Sequence, residues 1–99
     1  MGDGNNMIVE LTDTNYDEVL SKGKIVLDFY ANWCGVCKML MPKVMELSQQ
    51  KQDYLFYKVN ADEHNDLVNK YQIRNLPTFI VLENGKEVKK GGFDILGTL

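Results

Sequence analysis

A chain of 99 residues that is 44% hydrophobic and 25% charged, with eight glycines and two prolines, has the composition of one folded domain and excludes disordered, collagenous and two-domain readings. Eleven Lys and Arg against fourteen Asp and Glu give a net charge of −3 with the signs interspersed, which leaves no basic footprint for nucleic acid. No apolar run approaches the ~20 residues that cross a bilayer, and the polar start Met1-Gly2-Asp3-Gly4-Asn5-Asn6 matches neither a secretory signal nor a myristoylation site; the expectation is one cytoplasmic domain over 1–99, loose over 1–6 and without membrane contact.

Met7-Ile8-Val9-Glu10-Leu11 reads as a short strand. Thr12, Asp13, Thr14 and Asn15 are N-cap candidates for a helix over 16–22, in which Tyr16, Val19 and Leu20 fall at i, i+3 and i+4 and which Gly23 can end. Residues 25–30 are apolar except for Asp28, as suits a strand covered on both faces. Between 34 and 50 the residues Val36, Leu40, Val44 and Leu47 form one stripe with Cys37, Met41 and Met45 beside it, which predicts an amphipathic helix kinked by Pro42. Met39, Met41 and Met45 read as core filling on that helix. A strand over 54–60 follows, and then a short helix capped by Asn65 and carrying Leu67, Val68 and Tyr71, with His64 as a surface residue in the link before it. Leu76-Pro77 opens a strand over 78–82, Asn84-Gly85 fits a two-residue hairpin turn, and the strand over 86–90 ends in Lys89-Lys90, a solvated pair that discourages edge pairing. The order βαβαβαββ predicts an α/β fold: a mixed sheet with parallel crossovers, a terminal antiparallel hairpin and helices on both faces.

The two cysteines, Cys34 and Cys37, are too few for a disulfide scaffold. At this spacing, in a reducing compartment, they are redox-active or metal-binding. Cys34 falls at the first turn of the long helix, where unpaired amides and the helix dipole favour the nucleophilic thiolate near neutral pH. Cys37 shares its face, with Cβ atoms about 5–6 Å apart in ideal geometry, against about 3.5–4.5 Å in a disulfide, so a small adjustment separates dithiol from disulfide. Half of a zinc site has the same spelling. With no second cysteine pair and only His64 besides, one chain cannot supply four ligands, so a metal would need two copies of the chain to bridge it.

The segment Asp28-Phe29-Tyr30-Ala31-Asn32-Trp33-Cys34-Gly35-Val36-Cys37-Lys38-Met39 resembles the active-site segment of the thioredoxin family, and Leu76-Pro77-Thr78 resembles its cis-proline loop. Lys58, Asp62, Gly85 and Pro42 also stand where that family places equivalent residues, and the likeness runs over about 8–93. The resemblance implies a thioredoxin fold and a protein-disulfide reductase in which Cys34 attacks a substrate disulfide and Cys37 resolves the mixed disulfide, leaving a Cys34–Cys37 bridge. Asp28, desolvated in an apolar strand, would accept the proton of Cys37 through water with Lys58 as counter-ion; the competing reading is a strand-edge carboxylate that reaches solvent. Trp33, Gly35, Val36, Leu76, Pro77 and Thr78 are the implied substrate surface, the Leu76 backbone pairing with an extended segment of a disulfide-containing protein. No bound cofactor is implied. Electrons would come from a partner, a thioredoxin reductase using NADPH, because the chain has no glycine fingerprint for a nucleotide. The alternative is a binding subunit or chaperone of the same fold in which redox turnover is incidental.

Two departures from the family pattern carry expectations. Val36 stands where these proteins usually have proline and restores an amide donor near Cys34, which would stabilise the reduced form and make a weaker reductant; Tyr30, where tryptophan is common, is milder. After the last strand, residues 91–99 leave at most one or two turns in place of a longer C-terminal helix. So short a helix predicts reduced stability, or a weak homo-oligomer that shields Phe93, Ile95 and Leu96.

Overall fold

In the computed structural model, which describes residues 8–12 and 16–99, the elements follow the order β1 (Ile8–Glu10), α1 (Tyr16–Val19), β2 (Lys24–Tyr30), α2 (Gly35–Gln50), β3 (Leu55–Asn60), α3 (Asn65–Lys70), β4 (Thr78–Glu83), β5 (Lys86–Gly91) and a 3-10 turn (Phe93–Thr98). The five strands form one sheet in the order β1-β3-β2-β4-β5. β1, β3 and β2 run parallel, while β4 and β5 are antiparallel to their neighbours.

β2 is central, and its run from Ile25 to Phe29 is buried throughout. Successive side chains of a strand point to opposite faces, so β2 feeds two cores at once. Ile25, Leu27 and Phe29 pack with Leu20 after α1 and with Leu67 and Tyr71 of the α3 region. Val26 packs with Val44 of α2, Phe56, Phe79, Val81 and Leu96 on the other face. Asp28 shares the Val26 face, which places its carboxylate beneath the start of α2. The turn between β4 and β5 takes the left-handed conformation at both central residues, φ 51° at Asn84 and 86° at Gly85, as the Asn-Gly pair permits. Among the described residues no helix is long and apolar enough to cross a membrane.

Several expectations are corrected. α1 is a single turn that stops at Val19 rather than reaching residue 22, and Met7 and the cap candidates Asp13, Thr14 and Asn15 lie outside the described residues. Asn65 begins α3 instead of capping it. The cap position belongs to His64, which is 5% exposed and packs edge-on against the Tyr16 ring at 6.0 Å. A lone histidine among exposed carboxylates looked like a surface link because its partner lies almost fifty positions away. On α2 the buried stripe is Cys37, Val44 and Ser48 with Met41 half-buried, one residue around the helix from the apolar stripe, because Cys37 and Ser48 also seat on the sheet. Met39 and Met45 therefore face outward and are not core. α2 is one helix with Pro42 inside it, as the sequence predicts.

The end of the chain packs more firmly than its length suggests. Leu96 is wholly buried between α2 and the sheet, Phe93 meets Phe79 edge-to-face at 6.2 Å, and Ile95 and Leu99 lie against the same cluster. Of the side chains expected to need a second copy, Leu96 is covered within one chain and Phe93 and Ile95 are partly covered. Lys89 and Lys90 also do more than solvate a strand end: Lys89 donates to Thr98, and Lys90 Nζ donates to the carbonyls of Tyr71 and Gln72, both at 2.9 Å. Leu96→Ala is expected to lower the free energy of unfolding by about 2–5 kcal/mol in urea denaturation. A loss under about 0.5 kcal/mol would mean that the turn is not part of the core.

Candidate active site at the start of the long helix

β2 delivers the chain through Ala31, Asn32 and Trp33 to Cys34, which occupies the N-cap position of α2 with φ −88° and ψ 104°. An N-cap side chain accepts from the free amides two or three residues on. Here the sulfur is that acceptor: the Cys37 N–H donates to Cys34 Sγ at 3.1 Å. In this disulfide state the amide that reaches the sulfur is that of Cys37. The two cysteines are joined, with Cα atoms 5.3 Å apart. They are 6% and 5% exposed and form a small cluster with Ala31, against which Tyr30 and Leu76 pack. A sulfur held against the first amides of a helix is favoured as thiolate and as leaving group.

The loop before β4 closes over this cluster. The Leu76–Pro77 bond is cis, and Thr78, buried at the start of β4, donates through Oγ1 to the Asn75 carbonyl. Beside it a cleft of about 420 Å³ is lined by Arg74, Pro77, Thr78, Gly91 and Gly92. On the other side Trp33 is 70% exposed and donates its Nε1–H to Asp62 Oδ2 at 3.0 Å, which ties the ring to the loop after β3. Trp33, Val36 and Met39 are the exposed apolar side chains around the disulfide, with Gly35 open to solvent between them. Met39 was missed as part of this surface, since a methionine at helical spacing looks like core.

Asp28 is 3% exposed, which removes the reading of a carboxylate that reaches solvent. Parallel register sets it directly across from Lys58, and Lys58 across from Glu10, so three charged residues form one lateral row over β2, β3 and β1. Burial above all pushes the Asp28 carboxyl up to about 7; Lys58 draws it down and Glu10 pushes it up. Lys58 does not contact Asp28 as a salt-bridge partner. Its ammonium pairs with Glu10 Oε1 at 3.7 Å, and Tyr30 Oη donates to the same oxygen at 2.8 Å. Burial and the Glu10 carboxylate push the Tyr30 hydroxyl upward, so it stays a donor. A cleft of about 170 Å³ lined by Tyr30, Cys37, Lys38, Met41 and Lys58 runs from Lys58, the strand neighbour of Asp28, to the second cysteine and is roomy enough for water. Glu10 escaped the sequence reading because only the register of three strands brings it to Lys58. Among the described residues no group of three or more His, Cys, Asp or Glu is gathered as metal ligands.

A mixed sheet whose central strand leads into a helix opened by a disulfide, with a cis-proline loop against the sulfurs, defines a protein of thiol–disulfide exchange. The family model described as Thioredoxin matches residues 7–93. The thioredoxin of Mycoplasmoides gallisepticum is 47% identical over 75 residues, 75% of each chain. Among solved structures, thioredoxin NaTrxh from Nicotiana alata superposes with a TM-score of 0.86 at 29% identity, over 99% of this chain and 93% of that one. A chain of the complex of ferredoxin:thioredoxin reductase and thioredoxin f2 gives a TM-score of 0.81 at 33% identity, over 93% of this chain and 91% of that one. The chain belongs to the thioredoxin family. It is a protein-disulfide reductase, a thiol–disulfide oxidoreductase built on the Cys34–Cys37 pair.

Proposed function

We propose that Cys34 is the attacking sulfur and Cys37 the resolving one. The Cys34 thiolate attacks one sulfur of a substrate disulfide; that S–S bond breaks, one substrate thiolate leaves, and a mixed disulfide forms. Cys37 then gives its proton to the Asp28 carboxylate through water in the adjoining cleft and attacks Cys34 Sγ. The second substrate thiolate leaves and is protonated, and the Cys34–Cys37 bridge holds the oxidising equivalents. The single observation that carries this assignment is the Cys37 amide on Cys34 Sγ, which marks Cys34 as the sulfur whose negative charge the helix stabilises. Asp28 suits the proton step because its carboxyl titrates at about 7, close to working pH. Lys58 tunes it through its field. In this reading Trp33, Gly35, Val36, Leu76, Pro77 and Thr78 form the face for an extended segment of a disulfide-containing protein, with the Leu76 backbone as the pairing edge.

In the cycle we infer, a cytoplasmic electron carrier is recharged by a thioredoxin reductase that draws on NADPH. A structural relative found in complex with a ferredoxin:thioredoxin reductase supports a partner reductase as the electron source, and the NADPH step is our inference. Insulin-disulfide reduction tests both halves. Turnover is expected with dithiothreitol, and again with NADPH and a thioredoxin reductase in its place. Failure with dithiothreitol overturns the sulfur assignments, whereas turnover with dithiothreitol alone overturns the NADPH route.

A further inference from the structure

Lys58 stands between two carboxylates in one row of the sheet, Asp28 on β2 and Glu10 on β1, and its ammonium goes to Glu10. Asp28 Oδ1 is left buried with no hydrogen-bond partner. Glu10 is itself anchored, since Tyr30 Oη donates to the oxygen that Lys58 pairs with, and the Lys58 ammonium lies 5.7 Å from the centre of the Tyr30 ring. Tyr30 and Lys58 therefore share Glu10 Oε1 on the β1 side of Lys58, Glu10 Oε2 is buried without a partner, and Asp28 stands outside the set.

We propose that Glu10 is a positioning residue that withholds the Lys58 ammonium from Asp28, and so keeps Asp28 able to hold a proton at the pH where the cysteines exchange. The proposal rests on the reading of Asp28 as the acceptor of the Cys37 proton and assigns the control of that acceptor to a residue on another strand. The charged and titratable groups around Asp28 are few. β3 contributes Lys58, β1 Glu10 and β2 Tyr30; α2 contributes Cys37 and Lys38 on the adjoining cleft; Glu63, beyond β3, acts on the Tyr30 hydroxyl; and β4 places the uncharged Phe79 opposite Asp28. Glu10 is the negative group among them that competes for the lysine. Removing its charge frees the ammonium to turn toward Asp28 and stabilise the carboxylate.

The test is a ¹³C NMR titration of the Asp28 carboxyl in the oxidised full chain. Glu10→Gln keeps an oxygen for the Tyr30 hydroxyl and is expected to lower the Asp28 midpoint by about half a unit, as befits one charge removed from a neighbouring pair in a partly solvated site. Glu10→Ala, at the sheet edge, is expected to shift it the same way and guards against an effect peculiar to glutamine. In a Lys58→Gln background the Glu10→Gln shift is expected to shrink to the part that the Glu10 charge exerts on Asp28 through space. An unchanged or raised midpoint overturns the proposal, and so does an equal shift in both backgrounds, which would mean that Glu10 acts through space and not by holding the lysine. Failure of the underlying reading shows separately, as an Asp28→Asn protein whose rate of mixed-disulfide resolution keeps its acid limb.

Discussion

Cys37→Ser is expected to stop turnover while leaving the protein covalently attached to its substrate, and Cys34→Ser to abolish both turnover and attachment. The two cysteines sit in one helical turn, yet their environments differ in kind: Cys34 Sγ is at the N-cap and receives an amide, while Cys37 lies inside the first turn against the cleft that leads to Lys58. Loss of either thiol should reduce disulfide reduction by more than about 10³-fold, since a nucleophile and its resolving partner act as a unit. The distinguishing measurement is a non-reducing gel after mixing with a disulfide substrate. A stable adduct with Cys37→Ser and none with Cys34→Ser is the expected pattern, and the reverse would exchange the roles of the two sulfurs.

Asp28→Asn is expected to stabilise the protein at alkaline pH and to flatten its dependence on pH. The carboxyl titrates at about 7 in the fold against 3.8 for an unperturbed group. Between those values the unfolded chain has released a proton that the folded chain still holds, so stability falls as pH rises. The whole penalty stands above pH 7, and none of it remains below 3.8. A displacement of this size is worth on the order of 4 kcal/mol, undiminished by solvent because the side chain is buried. Asparagine cannot ionise and keeps the shape. Urea unfolding of the oxidised protein should therefore show the variant more stable by about 2–4 kcal/mol at pH 8.5 and level with the parent near pH 4. An identical pH slope in the two proteins would show that Asp28 is not held in its neutral form by the fold. The buried carboxylate is thus a group retained against stability, in keeping with a role in proton transfer.

Much of this site was legible locally. Asp28 in an otherwise apolar run, two cysteines at the start of a helix, a proline opening a strand and Asn84-Gly85 between two strands are features whose meaning lies within a few residues, and each stands where the sequence placed it. What was not legible depends on elements that meet only in three dimensions. Glu10 reaches Lys58 because β1 and β2 both pair with β3, though the three strands are scattered over fifty positions. His64 is buried by Tyr16 from the first helix. Leu96 is core because α2 and three strands leave a gap of its size, which no propensity of a Gly-rich terminal segment can announce. The tilt of α2 was misjudged by one residue for a related reason: the faces of Cys37 and Ser48 are set by the sheet beneath them and not by their own polarity.

Gly91 stands at the meeting of two of these features. It lines the cleft beside Pro77, and a Cβ there would come within 2.7 Å of the Ile95 methyl. Bare backbone at that position lets the last turn settle onto the sheet while its other side remains a wall of the groove. The rim that would meet a visiting polypeptide and the turn that covers the core around Val44 and Leu96 are consequently one mechanical piece, so loosening the turn must also blur the rim.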